Sequence, residues 1–382
     1  MRTVVKNAKI VTDKQVLIDC DCAFTDGYID YVGSDEQIGD VIIDAKDNYL
    51  IPGFIDLHCH GGNGFEFMDA SLDEIDKISK FHLSHGTTTM LASTLAAGQE
   101  TASALKNLQD YVNGNHGIIR GINLEGPWLN PEQCGAQNCL YMRAPDKDEL
   151  IKLKNDYPSI MRVCCAPELE GGLEFGEVGR QLGLVMSCAH TDGTFLDMEK
   201  ALAHGYNLMT HLYSGMKGVI RKNSFRIAGA VEAGLYFDEY FVELIADGRH
   251  LPSELLKFVY KIKGADKICL ITDAIRACGM EEGAQSVIGS KENGIPVIVE
   301  DGVAKLLDRQ SFAGSTSTYD KIYKTMASVI GKDMVALSKM TALTPAKIMN
   351  WQDVGCIAVG KRADMLIVDE NLDIQQVITK GA

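Results

Sequence analysis

The sequence has no long hydrophobic run and no excess of basic residues. No segment approaches the roughly 18 apolar residues that a membrane-spanning helix needs. The opening stretch, MRTVVKNAKIVTDKQ, has neither the apolar core nor the cleavage site of a secretory leader. The formal net charge of the 382-residue chain is −15, and no basic run or aromatic RNA-binding motif offsets it. We therefore expect a cytoplasmic protein with neither a membrane nor a nucleic acid as partner.

A disulfide framework is also missing. The 11 cysteines are odd in number and scattered, often inside apolar stretches such as RVCCAPE, VMSCAH and KICLITD. Disulfide frameworks are typical of small secreted chains, so these residues are interpreted as reduced thiols in the core. Hydrophobic residues make up 46% of the chain and charged residues 23%, as in ordinary globular proteins. The length exceeds what one core usually supports, which predicts a large domain with a smaller partner.

Both ends of the chain are rich in patterns typical of β-strands. Residues 1–50 contain TVVKNAKIV, QVLIDCDCAFTDGYIDYVG and DVIIDA, separated by turn signals such as Asp26-Gly27. The C-terminal end shows the same strand patterns, in CIAVGKRADMLIVDE and IQQVITKGA. We expect residues 1–50 and 353–382 to pair into one small β-sandwich domain.

The middle of the chain, residues 51–352, alternates apolar runs with helical patterns. Runs buried on both faces and separated by helices indicate a parallel sheet, and eight such units predict an α/β fold of the (β/α)8 TIM-barrel type. SLDEIDKISKFHLSHG, for example, begins with the capping-box pair Ser71 and Glu74 and ends at Gly86. After the eighth unit, PVIVEDGVAKLL predicts a hairpin with its turn at Asp301-Gly302. The runs are 53–58, 87–94, one within 117–125, 160–168, 183–190, 207–213, 240–248 and 267–274.

Two histidines end the first apolar run, in IPGFIDLHCHGG. His58 and His60 are two residues apart, so in a strand their side chains point to the same face. Cys59, between them, points to the opposite face and is interpreted as a packing residue. Two imidazoles side by side at a strand end predict a ligand there.

Other polar residues fall at later strand ends, where a barrel places its chemistry. They are Glu125, His190, His211, His250 and Asp273. Neutral imidazoles and carboxylates are the ligands of a hydrolytic divalent metal that keeps one position open for water. Two local explanations stay open at this point, since Glu125 could cap a turn and Asp273 a helix. The remaining histidines are His82, His85 and His204 at helix ends, where an imidazolium would complement the helix dipole, and His116 in a loop.

The chain resembles the amidohydrolase superfamily and, within it, the N-acetylglucosamine-6-phosphate deacetylases, over essentially its full length. The resemblance implies that Glu125, His190 and His211 bind the principal metal, that Asp273 is the catalytic acid and base, and that His250 contacts the substrate. Members that retain the His-x-His pair can hold two ions, so His58 and His60 imply a second site. The matching stretches are PGFIDLHCHG, NLEGPWLN, APE, AHTD, THLYSGM, IADGRH, LITDA, FAGSTST and GKRADMLIVD.

The resemblance further implies one or two divalent ions per subunit, with zinc favoured over iron, manganese or cobalt. It also implies a homodimer, in which the loop after strand 6 reaches toward the partner's active site and binds the substrate's phosphate. Here that loop contains Arg221, Lys222 and Arg226 but lacks the family's Pro-Gly. Arginine suits bidentate phosphate binding.

Two further substrate-binding positions depart from the family pattern. Gln137 stands where the family has a histidine that holds the acyl group, and an amide can donate a hydrogen bond but cannot become cationic. Ser214 and Gly215 stand where asparagine and alanine are common.

The predicted reaction is metal-dependent hydrolysis of N-acetylglucosamine 6-phosphate to glucosamine 6-phosphate and acetate. Alternatives are a deacetylase of another N-acyl compound, such as another acetylated sugar phosphate, and a catalytically silent sugar-phosphate sensor on the same fold. A cyclic-amide hydrolase or deaminase is less compatible, because RVCCAPE lacks the strand-4 lysine on which many of those enzymes rely. No GxSxG nucleophile motif is present.

Overall fold

The computed structural model of the protein describes residues 1–114 and 117–379. His116 and the last three residues of the predicted small domain lie outside this part. The strands are β1 (Arg2–Val11), β2 (Val16–Thr25), β3 (Tyr28–Gly33), β4 (Val41–Asp44), β5 (Tyr49–Pro52), β6 (Phe54–Cys59), β7 (Gly61–Gly62), β8 (Phe65–Glu66), β9 (Thr87–Ser93), β10 (Ile119–Glu125), β11 (Ile160–Cys165), β12 (Val185–Cys188), β13 (Tyr206–Met209), β14 (Ile220–Lys222), β15 (Phe225–Ile227), β16 (Phe241–Ile245), β17 (Ile268–Ile271), β18 (Gln285–Ile288), β19 (Ile295–Glu300), β20 (Val303–Leu306), β21 (Met365–Val368) and β22 (Ile374–Ile378).

The helices alternate with the strands through the middle of the chain. They are α1 (Leu72–Ser84), α2 (Glu100–Asn113), α3 (Lys147–Asp156), α4 (Gly172–Gln181), α5 (Phe195–Ala203), α6 (Ala230–Tyr236), α7 (Ser253–Lys263), α8 (Tyr319–Ile330), α9 (Met334–Ser338) and α10 (Thr344–Ile348). A π-helical turn, Lys339–Leu343, joins the last two.

Eight parallel strands of the described chain form the central sheet, which confirms the predicted number and direction. Their order is β6-β9-β10-β11-β12-β13-β16-β17. The last strand returns to the first, because the Asp273 amide donates to the His58 carbonyl at 2.9 Å and Cys59 bridges Ala274. This is the order of a (β/α)8 barrel, so the carboxyl ends of all these strands meet at one rim.

Local sequence signals explain how the elements begin and end. The predicted capping box of α1 is present, since the Ser71 hydroxyl accepts from the Glu74 amide at 3.4 Å and the Glu74 carboxylate accepts from the Ser71 amide at 2.8 Å. Between β19 and β20, Asp301 and Gly302 have φ of 56° and 72°. Two left-handed residues are what a two-residue hairpin turn requires, so the predicted turn is also confirmed.

Both chain ends contribute to a second sheet, with strands ordered β22-β21-β5-β1-β2-β3 and β4 paired to β1. The link is direct, since β21 runs antiparallel to β5 and Ile367 pairs with Leu50. A separate buried cluster that includes Val5, Ile10 and Met365 packs within this unit. The pairing of the two ends therefore matches the prediction, whereas the two-layer sandwich form and the boundaries at residues 50 and 353 stay predictions.

Candidate active site

One buried carboxylate lies among four imidazoles at the rim of the central sheet. Glu125 Oε1 is 3.1 Å from His190 Nε2 and 3.0 Å from His211 Nε2. Its other oxygen, Oε2, is 3.3 Å from His58 Nε2 and 3.2 Å from His60 Nε2. Glu125 therefore presents one oxygen to each histidine pair, and these five predicted ligands come together from four strand ends.

Backbone carbonyls fix the orientation of the His190 and His211 rings. His190 Nδ1 donates to the Gln133 carbonyl at 2.7 Å, and His211 Nδ1 donates to the Ser214 carbonyl at 3.1 Å. A carbonyl oxygen can only accept, so each Nδ1 carries a proton and Nε2 is the nitrogen left to coordinate a cation. Both Nε2 atoms face the space beside Glu125 Oε1.

This donor set suits divalent cations. The ligand atoms of His58, His60 and Glu125 lie within 4.8 Å of one another, and so do those of Glu125, His190 and His211. Imidazole nitrogens and a shared carboxylate are the ligands of zinc and similar ions. Two adjacent groups with Glu125 in common could thus hold one ion or two.

The backbone is strained where three of these side chains enter the rim. His190, His211 and Asp273 have φ of 43°, 30° and 49°, a left-handed conformation that is uncommon for residues other than glycine. Each follows the end of a strand, and the turn redirects its side chain toward the space above the sheet. Such strain is concentrated at functional sites because the surrounding structure has to maintain it.

Asp273 lies against the two histidines of the first strand. Its Oδ1 is 3.1 Å from His60 Nε2 and 3.6 Å from His58 Nε2. Burial alone would raise the pKa of Asp273, but the hydrogen bond to His60 and the positive charges of His58 and His60 bring that pKa below its ordinary value. The carboxylate is therefore ionised at neutral pH and able to accept a proton.

The clustered carboxylates also raise the basicity of the first-strand histidines. Burial would lower the pKa of His58, but Glu125, Glu243 and Asp273 raise it to about 9. Burial likewise opposes the charged form of His60, while Asp273 and Glu125 raise its pKa to about 10. In the protein alone, both rings hold a second proton that a cation would have to displace.

A cleft of about 210 Å³ opens above these groups. Gln137 lies in its wall, where its Oε1 accepts from the Ala96 amide at 2.8 Å and its Nε2 is 3.3 Å from His190 Nε2. On another side, Asp247 Oδ2 accepts from His250 Nδ1 at 2.8 Å, which points the remaining nitrogen of His250 outward. The predicted substrate residues Gln137 and His250 are thus brought to the same cleft as Asp273.

Ser214 and Gly215 also line the cleft, and the structure explains the glycine. Gly215 has a φ of 56°, and a Cβ there would come within 2.7 Å of His190 Nδ1. Any larger residue in this backbone conformation would displace the imidazole. The departure from the family's usual alanine therefore goes with close packing against His190.

The predicted phosphate-binding residues lie elsewhere. Arg221, Lys222 and Arg226 are exposed on the β14–β15 hairpin, and none of them lines the cleft of its own chain. Arg221 and Arg226 face each other directly across the hairpin. None of these three cations forms an ion pair with a residue in 1–114 or 117–379, and the like charges of the opposed Arg221 and Arg226 repel each other.

Sequence reasoning missed several residues of the site. The Asp247 carboxylate orients His250, and the signal that could have identified it is its position three residues before that histidine in ADGRH. Ile288 of β18 adds apolar wall, which no strand-end rule could identify, and Phe312 adds more from the FAGSTST stretch that the family resemblance had already matched. His82 corrects another interpretation: burial lowers its pKa to about 4, so it is neutral and bonds the Gly61 carbonyl rather than complementing the helix dipole as a cation.

Comparison with known proteins agrees with this geometry. The model of the amidohydrolase family matches residues 49–382. The chain belongs to the amidohydrolase family. This family is metal dependent, and the His/Glu groups described above are able to bind a metal.

Relatives place this amidohydrolase more narrowly, as its motifs predicted. An N-acetylglucosamine-6-phosphate deacetylase of Lysinibacillus sphaericus is 30% identical over 89% of this chain and 86% of its own length. An N-acetylgalactosamine-6-phosphate deacetylase of Escherichia coli O157:H7 is 30% identical over 100% of this chain and 99% of its own length. A Mycobacterium smegmatis structure superposes with a TM-score of 0.91 at 27% identity, covering 100% of this chain and 98% of the other. It is an aspartate-to-alanine variant of N-acetyl-D-glucosamine-6-phosphate deacetylase in complex with N-acetyl-D-glucosamine-6-phosphate.

Cation uptake by this amidohydrolase should release protons. A histidine must be neutral to offer its lone pair, and the raised pKa values of His58 and His60, about 9 and about 10, mean that both start charged near neutral pH. The apparent affinity for zinc should therefore rise with pH until those pKa values are reached and then level off. Calorimetric titration in buffers of different ionisation enthalpy measures the released protons.

The matched control is His204→Gln, which changes a histidine outside the site, where its Nδ1 bonds the Lys200 carbonyl. This variant should release as many protons as the unaltered protein. A zinc affinity that stays constant between about pH 6 and pH 9 would contradict the expectation.

Proposed function

We propose that this protein hydrolyses the N-acetyl group of an amino-sugar phosphate, with N-acetylglucosamine 6-phosphate as the favoured substrate and glucosamine 6-phosphate and acetate as products. The observation that carries the proposal is the position of Asp273 beside the five potential ligands, its Oδ1 3.1 Å from His60 Nε2. The full-length likeness to deacetylases supports the substrate class. N-acetylgalactosamine 6-phosphate is the second candidate, because a deacetylase of that sugar matches the whole chain at 30% identity.

Glu125, His190 and His211 would hold the principal ion, and His58 and His60 would hold a second beside Asp273, with Glu125 Oε2 facing that pair. Zinc is favoured, and iron, manganese or cobalt would suit the same ligands. Such an ion, when bound, would polarise the acyl oxygen and lower the pKa of water toward neutrality. All other steps of the reaction would be carried out by side chains of the protein.

Asp273 acts twice in the proposed mechanism. As general base it accepts a proton on its carboxylate from the water that attacks the amide carbon. As general acid it then gives that proton to the leaving nitrogen, since an amide anion is a poor leaving group. The depressed pKa of Asp273 keeps the carboxylate ionised for the first step. A sensor without catalysis would not need this group at this place.

The walls of the cleft would position the substrate. Gln137, beside His190, would donate its amide hydrogen to the acyl oxygen or to a sugar hydroxyl. His250, oriented by Asp247, would approach the sugar from the strand-7 side. Ser214 and Gly215 would bound the cleft beside His190, and the FAGSTST stretch contributes Gly314 and Phe312, whose ring packs against His250.

The exposed hairpin supports a role between subunits. Its unneutralised Arg221, Lys222 and Arg226 would bind phosphate in the partner's cleft of a homodimer, because none of them lines the cleft of its own chain. Large apolar side chains are exposed on this hairpin and on the neighbouring α5 and α6, which suits contact with a second subunit. They are Leu196, Val219, Phe225 and Tyr236.

We also propose that the enzyme works in the cytoplasm, where amino-sugar phosphates and reduced thiols coexist. The eleven cysteines are free, and most of them are buried. Among the described residues, no helix is long and apolar enough to cross a membrane.

A panel of N-acetyl sugars tests the proposed reaction. Zinc-loaded protein should release acetate from N-acetylglucosamine 6-phosphate faster than from N-acetylgalactosamine 6-phosphate, and far faster than from either sugar without its phosphate. An acetate assay on the panel, with a chelated sample as control, measures this. Binding of the sugar phosphates without acetate release from any of them would favour the sensor instead.

Replacing the proton carrier should affect turnover rather than binding. Asp273→Asn keeps the shape but removes the base, and kcat should fall by about 10² to 10⁴, the scale of general acid–base catalysis. KM and metal content should change little. Asp301→Asn, the same replacement in the exposed hairpin turn, is the control. An effect confined to KM would show that Asp273 only binds or caps.

The basic hairpin should affect phosphorylated substrates alone. Changing Arg221 and Arg226 together to alanine should raise KM for the sugar phosphate far more than for the same sugar without phosphate, because the two guanidinium groups supply its counter-charge. Steady-state kinetics on both substrates measures the ratio. Arg309→Ala, at an exposed arginine paired with Glu300, is the control. Equal effects on both substrates would mean that this hairpin does not recognise phosphate.

A further inference from the structure

A layer of polar side chains fills the sheet interior directly below the rim. Every member is fully shielded from solvent, and each belongs to a different strand or to the residue just past its end. Barrel interiors of this type are usually filled by bulky apolar residues. A polar layer costs desolvation unless each group finds a partner, so its retention calls for an explanation. The members are Asp56, Ser93, Asn123, Arg162, Ser187, Thr210, Glu243 and Thr272.

Arg162 and Glu243 form an ion pair at the centre of this layer. Arg162 Nη1 donates to Glu243 Oε1 at 2.5 Å, and Arg162 Nη2 donates to Glu243 Oε2 at 2.8 Å. Arg162 also donates to the Leu57 carbonyl, one residue before His58, at 3.1 Å. A bidentate pair of this kind fixes the carboxylate in position and keeps it ionised.

Glu243 lies next to the Nδ1 atom of His58, a candidate metal ligand. Its Oε2 is 3.6 Å from His58 Nδ1, just beyond hydrogen-bond range. That nitrogen is buried and has no hydrogen-bond partner among the described residues. The unpartnered donor and the fixed acceptor therefore lie next to each other, and a small ring movement would join them.

The two histidine pairs differ in the groups that hydrogen-bond their Nδ1 atoms. Backbone carbonyls of Gln133 and Ser214 hold His190 and His211, whereas no carbonyl bonds His58 Nδ1 in the described chain. Metal-binding histidines almost always donate their other nitrogen to a carboxylate, carbonyl or water, which sets the tautomer and the ring orientation. For His58, Glu243 is the acceptor in place.

We propose that the Arg162–Glu243 pair positions His58 as a ligand for a second cation, with Glu243 accepting the Nδ1 proton and thereby directing the Nε2 lone pair toward Glu125 and His60. Arg162 has the supporting role of holding the carboxylate at the right place. The inference rests on the proposed function only in requiring a cation beside His58 and His60. These are positioning residues and touch neither substrate nor the reacting atoms.

The variants must separate positioning from folding. Glu243→Gln alone leaves a buried arginine unpaired, which can unfold the protein, whereas replacing both partners of a buried ion pair by apolar residues is often neutral or stabilising. The decisive variant is therefore Arg162→Met with Glu243→Leu. Glu168→Gln is the control, because that strand-end carboxylate accepts from Asn130, Thr191 and Asp192 and contacts no candidate ligand.

The measurement is zinc stoichiometry and affinity by equilibrium dialysis at controlled free zinc, with circular dichroism to verify folding. The double variant should bind the first ion as the unaltered protein does and the second about 10- to 100-fold more weakly, the usual effect of losing a partner behind a metal ligand. The control should bind both ions normally. A second measurement does not depend on the double variant. The unaltered protein is labelled with ¹⁵N at its histidines, loaded with zinc and studied by NMR. The His58 signal, assigned by comparison with His58→Gln, should show a proton on Nδ1.

Normal binding of both ions by the folded double variant would overturn the inference, and so would equal weakening of both ions. An unaltered protein that binds a single ion would overturn it as well. Acetate release from the sugar-phosphate panel is scored separately. Deacetylase activity together with any of these results would leave the proposed function standing while removing the positioning role.

Discussion

The candidate site depends on one interaction, the burial of the Glu125 carboxylate among four imidazoles. Burial would raise the pKa of Glu125, yet His58, His190 and His211 hold it well below the ordinary value, so the group stays charged in a place from which water is largely removed. Its two oxygens face two different histidine pairs, and this divides the rim into two adjacent ligand groups.

Closure of the central sheet is what makes that arrangement possible. The histidines come from the first, fifth and sixth strands and Asp273 from the eighth, so they meet only because the eighth strand bonds to the first. The left-handed backbone at His190, His211 and Asp273 then turns each side chain inward. Helices and buried strands supply the rigidity that keeps such strained residues in place.

Charged and uncharged groups occupy different places beneath and around the rim. The ion pair of Arg162 and Glu243 sits in a fully buried layer, where each charge is compensated by the other and by hydroxyl and carbonyl partners. Above it, the cleft is bounded by uncharged or apolar groups such as Gln137 and Phe312. Arg221 and Arg226 lie outside this cleft, on the exposed hairpin. Their positive charge is therefore separated from the reaction centre of their own chain.

The sequence by itself determined the elements that short-range patterns encode. Buried runs, a capping box at Ser71 and Glu74 and a turn at Asp301 predicted the parallel strands, the helix start and the hairpin, because these depend on residues a few positions apart. Period-two alternation placed His58 and His60 on one face, and family motifs added Glu125 and the later strand ends. Only the tertiary structure decided which oxygen of Glu125 faces which pair, that Gln137 approaches His190, and that Glu243 lies behind His58. Those contacts join residues that are 53 to 185 positions apart in the chain. They are set by barrel closure and packing, which a pattern of a few neighbouring residues does not encode.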